Sequence, residues 1–254
     1  MTVLQRRLAE PLFLERGPVA CLLLHGFAGS PAEIRPLAEH LADRGITVRA
    51  PLLPGHGTHP DDLRQTRWPQ WVRAAESELS ALAAKYPRVH LAGFSMGALV
   101  ALYLAAHREA ATVTTLACPA RLADWRQVLI PLAKYLVPYY PARVSNPELA
   151  AQLDSYDRFP LAAVHSLIRL ARQVRRDLPR VTAPLLVLQG DRDKWIDQES
   201  AGYIMATAAS AKKRQVMLPG RNHLITLERG REEVCSEVAD WILERASFAG
   251  DEKG

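Results

Sequence analysis

The feature that most constrains the fold is a regular alternation of short apolar runs with helix-like stretches. The runs VACLLL (19–24) and PLLVLQG (184–190) have the length and continuity of strands covered on both faces. Residues 96–107 and 231–246 are typical of helices that follow such strands. This alternation predicts an α/β fold: a mostly parallel central sheet with helices on both faces. Ligands of such sheets bind at the carboxyl ends of the strands, so we expect functional residues there.

The helix that follows the first of these runs carries a recognisable start signal. Ser30 has the side chain of an N-cap, Pro31 suits the first helical position, and Glu33 completes the Ser-x-x-Glu pattern of a capping box. We therefore predict that Glu33 caps its own helix.

The alternation breaks in the middle of the chain, where prolines and aromatic residues interrupt helical fragments and no strand is predicted. We interpret residues 119–179 as a helical cap inserted into a core that comprises residues 1–118 and 180–248. The last residues, 249–254, read AGDEKG and are expected to form a flexible tail.

The charge of the chain is mildly basic, with a formal value of +5 from 32 basic and 27 acidic residues. The densest basic stretch, RLARQVRRDLPR (169–180), could mark a surface for nucleic acid or anionic lipid. Leu170 and Val174 keep helical spacing within it, and no nucleic-acid-binding motif accompanies the charge. We therefore interpret it as the solvated face of an amphipathic helix and predict no nucleic-acid partner.

The cysteines indicate a reduced protein without a metal site. Cys21, Cys118 and Cys235 lie far apart in apolar surroundings, without a C-x-x-C pair or metal-ligand spacing. We expect buried thiols and a reducing compartment, which favours the cytoplasm. The apolar run at 19–24 is too short to span a membrane, so we predict no stable membrane insertion.

Ser95 stands between two glycines in the stretch HLAGFSMGALV (90–100). A strand is predicted up to Gly93 and a helix from Met96, which places the serine in a tight strand-to-helix turn. Such a turn requires small flanking residues, here Gly93 and Gly97, and raises the hydroxyl above the carboxyl edge of the sheet. The backbone N–H of Met96 lies at the helix N-terminus and faces the reacting centre. We predict that Ser95 is a nucleophile and that Met96 provides one oxyanion-hole N–H.

A serine nucleophile needs a base, and the base needs an acid that orients it. Both are expected later in the chain, on loops after strands, with the acid before the histidine. The strand PLLVLQG is followed by Asp191, Asp193 and Asp197, and the strand KRQVMLPG is followed by His223. We predict that His223 is the base. Asp191 is the nearest rival to Asp193 as the acid, and its other possible role is to cap the turn.

The second oxyanion-hole donor is expected in the loop HGFAGSP, which follows the strand VACLLL. Gly26 allows the backbone to turn there, so that the N–H of Phe27 can face a carbonyl oxygen. His25 is expected to hold the loop in shape by hydrogen bonds.

Taken together, these segments resemble the α/β-hydrolase superfamily, and within it the bacterial monoacylglycerol lipases and small carboxylesterases. The resemblance covers nearly the whole chain. It rests on the segments LLLHGFAGSPAEIRPLAEHLADRGITVRAPLLPGHGTH, GFSMGALVALYLAAH, DRDKWI and NHLITL. The run GHGTHPDDL together with GFSMG is its most specific part.

The resemblance implies an α/β-hydrolase fold and a role for each of the candidate residues. Ser95 would be the nucleophile, Asp193 the acid and His223 the base, with Phe27 and Met96 giving the oxyanion-hole N–H groups. Asp193 is preferred to its rival because it occupies the G-x-x-D position that begins at the end of its strand. The inserted segment would be a cap over the active site.

The expected activity is hydrolysis of carboxylic esters with apolar acyl chains, monoacylglycerols included, through an acyl-enzyme on Ser95. Aromatic and aliphatic side chains of the cap favour an apolar pocket, although a similar stripe could equally pack the cap onto the core. The candidate substrate-binding residues are Trp125, Leu129, Ile130 and Tyr135. No metal or organic cofactor is implied, and the oligomeric state stays open.

Two other functions stay open. A thioesterase, lactonase or amidase would use the same residues, because the fold does not fix the reaction. A non-catalytic binding protein on this scaffold is less favoured, since all three candidate catalytic residues are present. A dehalogenase-type carboxylate nucleophile is excluded by the serine at position 95.

Overall fold

Strands and helices alternate along the chain, as the sequence pattern predicts. The computed structural model describes residues 9–121, 130–142, 153 and 156–247. The strands are β1 (Leu12–Leu14), β2 (Val19–Leu24), β3 (Ile46–Ala50), β4 (Val89–Phe94), β5 (Val113–Leu116), β6 (Tyr139–Pro141), β7 (Arg158–Pro160), β8 (Leu185–Gly190) and β9 (Lys213–Leu218). The helices are α1 (Arg35–Asp43), α2 (Pro60–Gln65), α3 (Trp68–Ala83), α4 (Met96–His107), α5 (Ile130–Leu136), α6 (Leu161–Asp177), α7 (Ser200–Thr207) and α8 (Arg231–Ser247).

The main sheet contains seven of the described strands in the order β1-β3-β2-β4-β5-β8-β9. β1 runs antiparallel to β3, and the other neighbouring pairs are parallel. The chain leaves β2 for β3 on one side and then crosses to β4 on the other side. The carboxyl ends of β2 and β4 therefore flank a topological switch point, where sheets of this type bind ligands.

Both faces of the central strands β2, β4, β5 and β8 are buried, which explains why β2 and β8 are continuous apolar runs. In β2, Leu22 and Leu24 belong to one core cluster, whereas Cys21 and Leu23 belong to the other. The first cluster includes side chains of α3, α4 and α6, and the second includes side chains of α1 and α8. Successive residues of a strand point to opposite faces of the sheet. A strand with helices packed on both faces therefore needs apolar side chains at every position.

The middle of the chain departs from the expectation that it contains no strand. β6 and β7 form a separate antiparallel pair, in which Tyr140 lies opposite Phe159. Each strand has three residues, which is too short to show an alternating pattern, and each ends in a proline, which edge strands tolerate. Between 119 and 179, residues 122–129, 143–152, 154 and 155 lie outside the described residues.

The basic helix and the cysteines behave as the sequence predicts. On α6, Leu170 and Val174 are buried while the arginines are exposed, so the charge lies on the solvated face. The three cysteines are buried and free. Burial raises the pKa of the Cys21 thiol to about 12 and that of Cys235 to about 11, which leaves neither as a thiolate nucleophile near neutral pH. Among the described helices, none is long and apolar enough to cross a membrane.

Candidate active site

Ser95 occupies the turn between β4 and α4 in a strained backbone conformation. Its φ of 52° and ψ of −114° lie outside the regions that a side chain with a Cβ normally adopts. Its N–H donates to the carbonyl oxygen of Leu116 on the neighbouring strand at 2.8 Å, which anchors the turn. Strain of this kind persists only where the surroundings impose it, and it is concentrated at functional sites.

The two glycines around Ser95 are required by the close approach of α4 to the sheet. A Cβ on Gly93 would lie 2.2 Å from the carbonyl oxygen of Gly97. A Cβ on Gly97 would lie 2.2 Å from the carbonyl oxygen of Leu24 at the end of β2. Both distances are far below van der Waals contact, so only glycine fits at either position.

His223 links Ser95 to Asp193 by two hydrogen bonds. Its Nε2 lies 3.1 Å from Ser95 Oγ, and its Nδ1 lies 2.6 Å from Asp193 Oδ2. A carboxylate accepts only, so Nδ1 carries the proton and Nε2 presents its lone pair to the serine hydroxyl. This tautomer is the one that can take the proton from the serine.

Asp193 is fixed by hydrogen bonds from backbone N–H groups, whereas Asp191, the alternative candidate, contacts a different segment. The side chain of Asp193 is fully buried, and its Oδ1 accepts hydrogen bonds from the N–H groups of Trp195 at 2.8 Å and Ile196 at 3.3 Å. Asp191 Oδ1 instead accepts from the N–H of Gly220 at 2.7 Å. The structure thus brings Asp193 to the histidine and leaves Asp191 as a turn-stabilising carboxylate.

The loops that carry the acid and the histidine are adjacent because β8 and β9 are parallel neighbours. Two hydrogen bonds join the loops: Asp191 N–H to Leu218 O at 3.2 Å and Arg192 N–H to Arg221 O at 2.9 Å. A Cβ on Gly190 would lie 2.4 Å from Arg221 O, so the approach is as close as glycine allows. The register of two strands thereby sets the distance between Asp193 and His223.

His25 orients the peptide unit that contains the Phe27 N–H. The Leu53 N–H donates to His25 Nε2 at 3.0 Å, so Nδ1 bears the proton and donates to the Gly26 carbonyl at 2.9 Å. The C=O of Gly26 and the N–H of Phe27 belong to one peptide plane and point in opposite directions. Burial, followed by the nearby His56, lowers the pKa of His25 to about 3, so the ring stays neutral in this role.

The N–H groups of Phe27 and Met96 remain without an acceptor among the described residues. Phe27 follows β2, and Met96 begins α4, directly after Ser95. Both groups therefore lie at the carboxyl ends of adjacent strands, at the edge of the sheet where Ser95 lies.

Sequence reasoning missed a row of aromatic rings beside the histidine. Phe159, on β7 of the inserted region, lies 5.8 Å from the ring of Phe27 and 6.4 Å from that of Trp195. The Trp195 ring lies 6.5 Å from the His223 imidazole. Phe159 belongs to a strand that is too short to predict. Trp195 lies in a loop, two residues after Asp193, and no periodic pattern includes it. The sequence therefore has no local signal that predicts either ring at the site.

Of the four candidate substrate-binding residues in the inserted region, two lie in the part of the chain that the structure describes. Trp125 and Leu129 lie outside the described residues. Ile130 is partly buried at the start of α5. Tyr135 is 79% exposed, and the Lys134 ammonium lies 4.9 Å from its ring centre. Tyr135 thus faces solvent and does not line an enclosed pocket, because it stands at the exposed end of a short helix.

Metal-ligand side chains do not cluster in the part of the chain that the structure describes: no group of three or more histidine, cysteine, aspartate or glutamate side chains could hold an ion there. The groups at the carboxyl edge of the sheet are of the types that nucleophilic acyl transfer requires. They comprise a hydroxyl, an imidazole, a buried carboxylate and two backbone donors.

Comparison with known proteins decides the family. A profile of the alpha/beta hydrolase family matches residues 21–237. The chain belongs to the alpha/beta hydrolase family. The match spans most of the chain and includes Ser95, Asp193 and His223. It confirms the resemblance and the fold class predicted from the sequence.

Two curated relatives of this alpha/beta hydrolase align over nearly their whole length. The chain is 31% identical over 246 residues to a thermostable monoacylglycerol lipase of Bacillus sp. (strain H-257), covering 94% of this chain and 96% of that protein. It is 26% identical over 235 residues to a carboxylesterase of Bacillus subtilis (strain 168), covering 92% and 96%.

Solved structures share the same fold. One, of metagenome-derived lipolytic enzymes named LipS and LipT, has a TM-score of 0.86 at 24% identity and covers 93% of this chain and 98% of its own. The Paleococcus ferrophilus monoacylglycerol lipase has a TM-score of 0.77 at 17% identity and covers 93% and 99%. At these identities the likeness concerns the fold alone.

Proposed function

We propose that this alpha/beta hydrolase cleaves carboxylic esters through an acyl-enzyme on Ser95. The observation that carries the proposal is the hydrogen-bonded chain from Ser95 Oγ through His223 to Asp193, with distances of 3.1 and 2.6 Å. The similarity to a monoacylglycerol lipase and a carboxylesterase supports an ester as the substrate.

In the first half of the reaction, Ser95 Oγ attacks the ester carbonyl carbon while His223 Nε2 takes the hydroxyl proton. The bond from the carbonyl carbon to the alcohol oxygen then breaks, and the histidine returns the proton to the departing alcohol. The product is an acyl-serine ester and a free alcohol. Asp193 stabilises the imidazolium that exists between these two proton transfers.

In the second half, a water molecule loses a proton to His223 Nε2 and attacks the acyl-serine carbonyl. The bond to Ser95 Oγ breaks, the proton passes to the serine, and a carboxylic acid leaves. In both halves the carbonyl oxygen gains negative charge. We assign its stabilisation to the N–H groups of Phe27 and Met96, each of which is worth about 100- to 1000-fold in rate.

The aromatic rings beside His223 and the similarity to the two curated relatives support the substrate class. We propose a small ester with an apolar acyl chain, monoacylglycerols included, that lies against the rings of Phe27, Phe159 and Trp195. We propose that residues 119–179 form the cap, which contributes Phe159 to this row of rings. The three free cysteines favour a cytoplasmic protein.

Turnover measurements on the purified protein test this proposal. We expect hydrolysis of p-nitrophenyl esters and of 1-monoacylglycerols, with slower or no turnover of matched thioesters and amides. Ser95→Ala should lower kcat by at least about 10⁴-fold, because the nucleophile is lost. Turnover of thioesters or amides alone would contradict the ester assignment, and full activity in Ser95→Ala would contradict the mechanism.

A further inference from the structure

Glu33 is a buried carboxylate that the proposed mechanism does not use. It lies in the turn Pro31–Glu33 before α1, where it is only 7% exposed. The sequence predicts that it caps its own helix, but the structure overturns this expectation. Its Oε2 instead accepts the N–H of Gly26 at 2.9 Å, seven residues back in the oxyanion loop, which comprises residues 25–29.

The oxyanion loop is shaped around this carboxylate. A Cβ on Gly29 would lie 2.2 Å from Glu33 Oε2, and a Cβ on Gly26 would lie 2.9 Å from the same oxygen. Ala28, between them, has a φ of 58°, which a residue with a Cβ adopts only under constraint. The Glu33 carboxylate therefore occupies the space that side chains at positions 26 and 29 would need.

Glu33 also joins this loop to the loop that carries the histidine. Its backbone carbonyl accepts the hydroxyl of Thr226 at 2.7 Å, three residues after His223. Its side chain and its main chain thus contact the two loops on opposite sides of the serine. Movement of the turn at Glu33 would change the position of both.

We propose that Glu33 is a positioning residue, whose carboxylate holds the Gly26 N–H and thereby fixes the neighbouring Phe27 N–H for the oxyanion. This inference rests on the proposed function. His25 holds the Gly26 carbonyl from one side and Glu33 holds the Gly26 N–H, so the peptide units on both sides of Gly26 are fixed. The contribution is indirect, since Glu33 contacts no reacting atom.

The bond is strongest when Glu33 is ionised, because a carboxylate accepts a charge-assisted hydrogen bond from an N–H. Burial raises the pKa of Glu33 to about 7, and the bond from Gly26 partly opposes that rise. The titratable and charged groups on the segments that contact Glu33 are His25 on the oxyanion loop, Arg35 at the start of α1, and Arg221, His223, Glu228 and Arg229 in the loop around Thr226. Arg221 forms an ion pair with Glu233 at 3.8 Å, and Glu228 accepts the N–H of Asn222 at 3.0 Å. His25 is neutral, Arg35 forms an ion pair with Glu39 at 3.8 Å, and His223 is bonded to Asp193.

The test compares wild type, Glu33→Gln, Glu33→Ala and the matched control Glu109→Gln, which alters an exposed glutamate just after α4. We measure kcat and KM for a short-chain p-nitrophenyl ester from about pH 5.5 to about pH 9, with thermal unfolding of each variant. Glu33→Ala leaves the Gly26 N–H without an acceptor and should lower kcat about 100-fold, with KM within about threefold of wild type. Glu109→Gln should match wild type.

Glu33→Gln keeps the shape and an acceptor but not the charge, so it mimics the protonated side chain. Its kcat should be about tenfold below wild type above pH 8, and the two should converge below pH 6 as the wild-type carboxylate takes up its proton. A merely structural role would give a ratio that does not change with pH.

The inference is overturned if folded Glu33→Ala keeps kcat within about threefold of wild type, or if the ratio of wild type to Glu33→Gln is constant with pH. Should Glu33→Ala not fold, the pH dependence of Glu33→Gln decides alone. Ser95→Ala is assayed in parallel. Full activity in Ser95→Ala contradicts the proposed function, whereas its loss together with wild-type behaviour in both Glu33 variants contradicts only the role of Glu33.

Discussion

At the scale of single residues, two aspartates that are two positions apart in sequence have different roles. Asp193 is fully buried and hydrogen-bonded to His223, whereas Asp191 accepts the Gly220 N–H in the turn after β9. The difference arises from the turn after β8, which points successive side chains in different directions. The two carboxylates are chemically identical, so geometry alone supports Asp193 as the proposed acid.

Replacing each aspartate by asparagine should separate these roles. Asp193→Asn keeps the size of the side chain but allows the wrong tautomer of His223, so we expect kcat to fall about 10⁴-fold. Asp191→Asn retains an oxygen for the Gly220 N–H and should keep kcat within about threefold of wild type. Steady-state kinetics on a p-nitrophenyl ester measures both, and a larger loss in Asp191→Asn would show that the wrong carboxylate has been assigned.

At the scale of elements, the site depends on how closely α4 approaches the ends of β2 and β4. This approach forces glycine at positions 93 and 97 and holds Ser95 at a positive φ. It also brings the first N–H of α4 next to the loop after β2. The helix is almost wholly apolar and buried, so burial on all sides secures a turn that is itself strained.

A pair of glycine-to-alanine variants tests this dependence on close packing. The Cβ in Gly97→Ala would meet the backbone of Leu24 and His25, which cannot move aside, so we expect a lower unfolding temperature and loss of activity. Gly202→Ala, within α7, meets no atom within 4 Å and should be stabilised by roughly 0.5–1 kcal/mol. Thermal unfolding of both variants is the measurement, and equal stability of the two would contradict the proposed packing.

At the scale of the whole molecule, the sequence predicts the features that arise from local patterns. Apolar runs and helical spacing are local, and the strand order then brings Ser95 and His223 together across 128 residues. The contact of Glu33 with Gly26 has no local signature, because the same Ser-x-x-Glu pattern also fits a capping box. The two strands of the inserted region could not be predicted either, since three residues are too few to show an alternating pattern. The exposure of Tyr135 depends on how its helix packs on the core, which the sequence does not show.

The central claim is that Ser95 attacks a carbonyl with His223 as its base, and covalent labelling tests it most directly. The intact protein is incubated with a fluorophosphonate probe, and the modified residue is identified by mass spectrometry. We predict one adduct, on Ser95, with no labelling in Ser95→Ala and a strongly slowed reaction in His223→Ala. Absence of labelling in the folded wild-type protein, or labelling at another serine that persists in Ser95→Ala, would contradict the claim.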